Sequence, residues 1–204
     1  FDSGSLMAPM GGEGSSGVVE ADETYHGKVE DPSETRTDGT PFLKGGKRGP
    51  ANKRAIISLV ERGGDVRSFH VARADKETVA EIVSENVAKE ARLMTDESRL
   101  YRGVDVAEHD AIRHRKGKYV RYEAGKPVIH TNTVEGYFSI FKRGMKGVYQ
   151  HCSEKHLHRY LAEFDFRYSN RIKLGVDDTE RTERAIRGAE GKRLTYRRTN
   201  GARL

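Results

Sequence analysis

The sequence predicts an α/β fold, a mixed sheet flanked by helices, with a flexible N-terminal tail and a basic C-terminal helical region. Three observations predict it. Short β-branched runs stand ahead of segments with helical spacing. Two of those runs are split only by Gly63-Gly64, the signature of a hairpin. The stretch 131–171 then carries two apolar stripes at helical spacing with no strand pattern between them.

The elements follow in order. Residues 1–17 hold five glycines and four serines without an apolar period, so they read as a flexible tail. They lack the basic and apolar regions of a secretory signal. Val18–Tyr25 is a short, part-apolar strand that Gly27 ends. Residues 28–53 are rich in glycine, proline and charge and read as a long loop. Arg54–Arg62 and Asp65–Ala72 form the hairpin. Asp75 is the expected N-cap of a helix reaching about Lys89, with Val79, Ile82, Val83 and Val87 on one side. Ala91–Thr95 is an apolar run leading into Asp96. A second, short helix is expected within 99–110, and a weak basic strand over His114–Tyr122. Thr131–Lys146 is a helix with Val134, Phe138 and Phe141 on one face. Ser153–Arg171 is another, striped by Leu157, Leu161, Phe164 and Tyr168. The expected organisation is a tail (1–17), a catalytic core (18–172) and a basic C-terminal extension (173–204).

Composition narrows the function. The chain has 204 residues, enough to bury a core without staples. One cysteine, Cys152, excludes a disulfide framework and a four-cysteine zinc module. The neighbouring His151, His156 and His158 fall short of a four-ligand zinc spacing. No stretch approaches the ~18 consecutive apolar residues of a membrane span. A net charge of +6 points to an anionic partner. The charge is divided along the chain: Lys142–Leu204 carries 16 Lys and Arg against 8 Asp and Glu, whereas the preceding 141 residues carry 21 against 23.

Two aspartates stand out. Asp22 lies inside an apolar strand and Asp96 at the end of another. A carboxylate there is costly unless something compensates it. A hard divalent cation does so through carboxylate oxygen, and two such aspartates on neighbouring strands suit two-metal phosphoryl chemistry. The alternative for Asp96 is a turn, since Thr95-Asp96-Glu97-Ser98 is good turn chemistry. Glu135 and Lys142 are seven residues apart, on one side of a helix, with Asn132 ahead of its first turn. A third ligand plus a phosphate-contacting lysine is one reading, and a solvated helix face is the other.

A strand, a hairpin, a helix and a further central strand are what the ribonuclease-H-like fold uses. The blocks VVEADETYHG, KRGPANKRAIISLVERGGDVR, MTDES and HTNTVEGYFSIFKRGMKGVYQHCSEKHLHRYLAEFDFRYSNR resemble the ISXO-like, integrase-like transposase domain of bacterial insertion sequences, over roughly residues 18 to 198. The resemblance implies a ribonuclease-H-like DDE-type core, dependence on Mg²⁺ (with Mn²⁺ as a substitute), and DNA strand cleavage and transfer. It implies Asp22 and Asp96 as the first two catalytic residues and metal ligands. The third is Asn in many members and Glu in others, and both Asn132 and Glu135 stand in the matching block. Glu135 is favoured because a carboxylate holds Mg²⁺ better than an amide. Lys142 matches the lysine that follows. The Glu-Lys spacing also resembles a related transposase signature whose Tyr and Arg are here Val128 and Thr131.

Arg143, Lys146, Arg159, Arg167, Arg171, Arg197 and Arg198 are the expected contacts to DNA phosphates. The expected partners are element ends and target DNA, met by a homo-oligomer in the cytoplasm at the nucleoid, with no membrane. Family members carry an upstream DNA-binding region, so this chain is expected to be a truncated copy. The rival readings are a catalytically degenerate DNA-binding module and a related nuclease of the same fold.

Overall fold

The computed structural model describes residues 8–30, 52–96, 98–112, 120–122, 124–125 and 127–191. Five strands form one sheet. They are β1 (Val18–Lys28), β2 (Lys53–Glu61), β3 (Val66–Val71), β4 (Arg92–Asp96) and β5 (Glu108–Ile112). Their order across the sheet is β3-β2-β1-β4-β5. β1, β2 and β3 pair antiparallel, whereas β4 runs parallel to β1 and β5 parallel to β4. The mixed α/β sheet expected from the sequence is therefore present. The expected hairpin is present too, with Gly63 at φ +70°, a conformation glycine adopts without penalty.

The helices are α1 (Lys76–Asn86), α2 (Asn132–Gly144) and α3 (Leu157–Ser169), which cover the sheet, and α4 (Asp178–Ala189), which buries no side chain. Alternation along the strands sends Val19, Ala21, Ile57, Leu59 and Leu93 to the side of α1, where Val79 and Val83 close the layer. Ile56, Val60 and Val66 face the other way, onto α2 and α3 through Val134, Phe138, Phe141, Leu157 and Leu161. The Asp75 carboxylate accepts from the Thr78 amide at 3.0 Å, so the expected cap starts α1.

Four expectations are corrected. Residues 8–17 are not a free tail: Met10 is buried, and its backbone bonds to Asn86 and Ala88. That docking turns Val87 extended, so α1 stops at Asn86 rather than near Lys89. β1 runs past Gly27, whose φ of +64° sits at an irregularity in the β1–β2 register. The helix expected within 99–110 is a single 3-10 turn, Arg99–Tyr101, followed by β5. β5 is an edge strand with a largely exposed, polar sequence, which hides it from an apolar pattern. Ion pairing of Arg92 with Asp110 and a 2.9 Å contact between Thr95 Oγ1 and His109 Nε2 hold it to β4. Of the expected strand at His114–Tyr122, residues 114–119 lie outside the described residues, and Arg121 makes a bridge to Ile129.

α2 meets α3 at Gly144, where an added Cβ would overlap the Phe164 ring. Gly144→Ala is expected to destabilise the fold by about 1–3 kcal/mol through overpacking, read as a lowered midpoint in chemical denaturation.

Candidate metal centre and DNA-facing helix

The site forms where β4 stops and β1 continues. Their parallel register sets Val18 opposite Arg92, Val19 opposite Leu93 and Glu20 opposite Met94. The same step continued brings Asp22 level with Asp96. Glu23 alternates to the other side of β1, where Tyr101 Oη donates to its carboxylate at 3.2 Å. Carboxylate oxygens of Asp22, Glu23 and Asp96 nevertheless all lie within 4.8 Å of one another. Among the described residues this is the single acidic, histidine or cysteine cluster of that density, so Cys152 and its neighbouring histidines form none.

The electrostatics match the crowding. Burial, then the charges of Glu23 and Asp96, push the Asp22 carboxyl up to about 8, and Glu135 adds to the shift. Burial and Asp96 also raise Glu23. The Glu23 amide donates to Asp22 Oδ1 at 2.9 Å, and the Ser98 amide to Asp96 Oδ1 at 2.8 Å. The turn chemistry around Asp96 and its place in the acidic cluster are thus both real: the turn aims the carboxylate. Oxygen donors alone make a hard site, which fits Mg²⁺ or Mn²⁺ rather than a thiophilic metal.

α2 carries the third element. Glu135 is exposed in its first turn and accepts from Thr131 Oγ1 at 2.9 Å. It stands outside the tight cluster, yet its charge acts on Asp22. Asn132 is the exposed first residue of α2. Lys142, two turns on from Glu135, is exposed, and its charge helps lower the pKa of His26 near the end of β1, after burial and Arg54.

The start of α2 is fixed by a residue that sequence reasoning passed over. Glu20, fully buried on β1, accepts from the amides of Thr133 at 2.8 Å and Val134 at 3.1 Å, and from Thr133 Oγ1 at 2.8 Å. Arg62 Nε pairs with it at 2.6 Å. The available signal was a glutamate inside VVEADET, two residues from Asp22 and therefore on the same side of the strand. Glu23 was missed because alternation places it on the opposite side.

The basic residues separate into groups. Arg143 and Lys146 are exposed on the last turn of α2 and the π-helical turn Met145–Tyr149 that extends it, and Arg159 is exposed on α3. Arg167 is exposed and pairs with Glu163 at 3.3 Å. Arg171 is instead spent within the protein: its guanidinium stacks 4.0 Å over Tyr168 and donates to the carbonyls of Gly64 and Tyr168. Arg197 and Arg198 lie outside the described residues.

A five-stranded sheet in this order, with helices on both faces and crowded carboxylates on its two central parallel strands, is the arrangement of a ribonuclease-H-like transposase domain. The family model of the ISXO2-like transposase domain matches residues 15–169, and the chain belongs to that family. No curated protein and no solved structure matches the chain. Among the described residues, no helix is long and apolar enough to cross a membrane.

Proposed function

We propose that this chain is the catalytic core of a DDE-type transposase that cuts and joins DNA strands at the ends of an insertion sequence. The observation that carries the reading is the convergence of Asp22 and Asp96 on adjacent parallel strands, with Glu135 of α2 within electrostatic reach. Mg²⁺ or Mn²⁺ would be held by Asp22 and Asp96, with Glu135 as the third ligand. Glu135 is preferred to Asn132 because a carboxylate holds a hard cation better than an amide does. When bound, a divalent cation supplies Lewis-acid stabilisation of in-line displacement at phosphorus.

The chain's own residues do the rest. Asp22 holds its proton near neutral pH, so it would have to release that proton to serve as a ligand to a cation. Asp96 is aimed by the Ser98 amide and Glu135 is steadied by Thr131. Lys142, Arg143 and Lys146, exposed along α2 and its extension, track the DNA backbone as sequence-independent phosphate contacts, with Arg159 beside them on α3. Arg171 is left out of that set because the protein itself uses its donors. The partners are element ends and target DNA at the nucleoid, brought together by a homo-oligomer.

The test is nicking and strand transfer on DNA carrying the cognate ends, with Mg²⁺ or Mn²⁺. Asp96→Ala is expected to abolish both steps, and Glu135→Ala to cost more than Asn132→Ala. DNA binding that persists while wild-type protein never cleaves would instead favour a degenerate binding module.

A further inference from the structure

α2 begins without a side-chain cap of its own: Thr131, at the N-cap position, makes no capping hydrogen bond there. The first-turn amides of Thr133 and Val134 are satisfied from outside the helix, by the Glu20 carboxylate of β1. Glu20 is 0% exposed and sits two residues before Asp22 on the same side of the strand. Its negative charge lies at the positive end of the helix, where it is worth most.

Arg62, at the end of the β2–β3 hairpin's first strand, completes the joint. Its Nε meets Glu20 at 2.6 Å, and its remaining nitrogens donate to the carbonyls of Val128 at 2.5 Å and His130 at 2.9 Å. One ion pair therefore ties together the strand bearing Asp22, the segment entering α2, and the helix turn bearing Glu135.

We infer that Glu20, braced by Arg62, is a positioning residue: it sets the distance between the Asp22–Asp96 pair and the first turn of α2, and with it the affinity of the site for divalent metal. This inference rests on the catalytic reading above. Glu20 touches no reacting atom. Its effect passes through α2, as partners of metal ligands act on the ligands they orient.

The test uses the full chain in four forms: wild type, Glu20→Gln, Glu20→Ala and Val83→Ala. The last is a remote control that opens the fully buried α1 side of the core. Gln keeps the shape but offers one oxygen in place of two and leaves Arg62 without its counter-charge. Three readouts are taken below the melting range of every variant: amide exchange at Thr133 and Val134, Mn²⁺ affinity by calorimetry, and kcat against KM for nicking. Glu20→Gln is expected to expose both amides to faster exchange and to weaken Mn²⁺ binding about tenfold. It is also expected to lower kcat about tenfold or more with KM for DNA unchanged.

Val83→Ala, matched for lost stability, is expected to leave Mn²⁺ affinity intact. Wild-type Mn²⁺ affinity and kcat in Glu20→Gln overturn the inference, as does an equal loss in Val83→Ala. Should Glu20→Ala fail to fold, Glu20→Gln and the milder Thr133→Val, which removes one donor to Glu20, carry the same readouts. Wild-type protein that binds no Mn²⁺ overturns the catalytic reading and this role with it. Fast amide exchange at Thr133 and Val134 already present in wild type overturns the inference as well.

Discussion

Asp22→Asn is expected to abolish strand cleavage while making the metal-free protein more stable. Cleavage should fall on the order of 10³-fold or more, because the substitution removes a charged ligand at the centre of the site. The stability effect has the opposite sign for the same reason. In the folded chain the Asp22 carboxyl is raised to about 8, chiefly by burial and then by Glu23 and Asp96, from an ordinary 3.8. Between those two values the folded state holds a proton that the unfolded chain has released. Asp22 therefore lowers stability progressively as pH rises from about 4 to about 8, and the full cost is present above 8. Asparagine carries no charge and still accepts from the Glu23 amide through Oδ1, so the variant escapes that cost, a gain of a few kcal/mol at pH 8 and above. Mg²⁺ should narrow the gap. At about 100 times its dissociation constant it adds about 2.7 kcal/mol to wild type, and far less to Asp22→Asn. Thermal melts across pH 5–9, with Mg²⁺ and with chelator, read both effects. A wild type and variant that melt alike under all conditions would remove Asp22 from the metal site.

How far the sequence exposes this site depends on what each residue's environment does to the local pattern. α1, α2 and α3 are legible because each buries one side and so leaves a period in the sequence, whereas β1 and β2, buried on both sides, show as short apolar runs. β5 leaves none, since an edge strand with a polar, exposed run needs no apolar alternation. Met10 packs alone from within a glycine-rich stretch, and one apolar residue carries no period. The order of strands across the sheet is a long-range property, so the facing of Asp22 and Asp96 emerges only from the β1–β4 register.

The carboxylates show the limit most sharply. A glutamate or aspartate inside an apolar strand says that something compensates its charge, but not what. Glu20 and Asp22 lie two residues apart on the same side of β1. Glu20 is met by Arg62 and the start of α2, whereas Asp22 is met by other carboxylates. Only the fold distinguishes a buried ion pair from a crowd of carboxylates. Arg171 fails in the same way: a basic residue at a helix end reads as a phosphate contact until its donors are seen to close on Gly64 and Tyr168.

The joint between α2, α3 and the sheet gives the second large expectation, a stability loss in Asp165→Ala. Asp165 of α3 accepts from the Ser68 amide at 2.8 Å, from Ser68 Oγ at 2.7 Å and from Tyr137 Oη of α2 at 2.5 Å. Ser68 lies on β3, an edge strand, so this carboxylate covers an amide that no neighbouring strand can reach. Ser58 of β2 extends the chain through a 2.9 Å contact to Ser68. Removing the carboxylate leaves these buried donors without their acceptor. At roughly 1–3 kcal/mol for each unsatisfied group, the expected cost is about 3 kcal/mol or more.

Burial raises the Asp165 carboxyl to about 6 from 3.8, against the pull of its three hydrogen bonds. Its contribution to stability therefore falls as pH rises from about 4 through 6. Asp165→Asn retains one acceptor and loses the titration, so it should cost less than alanine and flatten the slope in that window. Urea denaturation of wild type and both variants at pH 4.5 and 7 separates the two effects. An Asp165→Asn variant with an undiminished slope would assign the titration to another group.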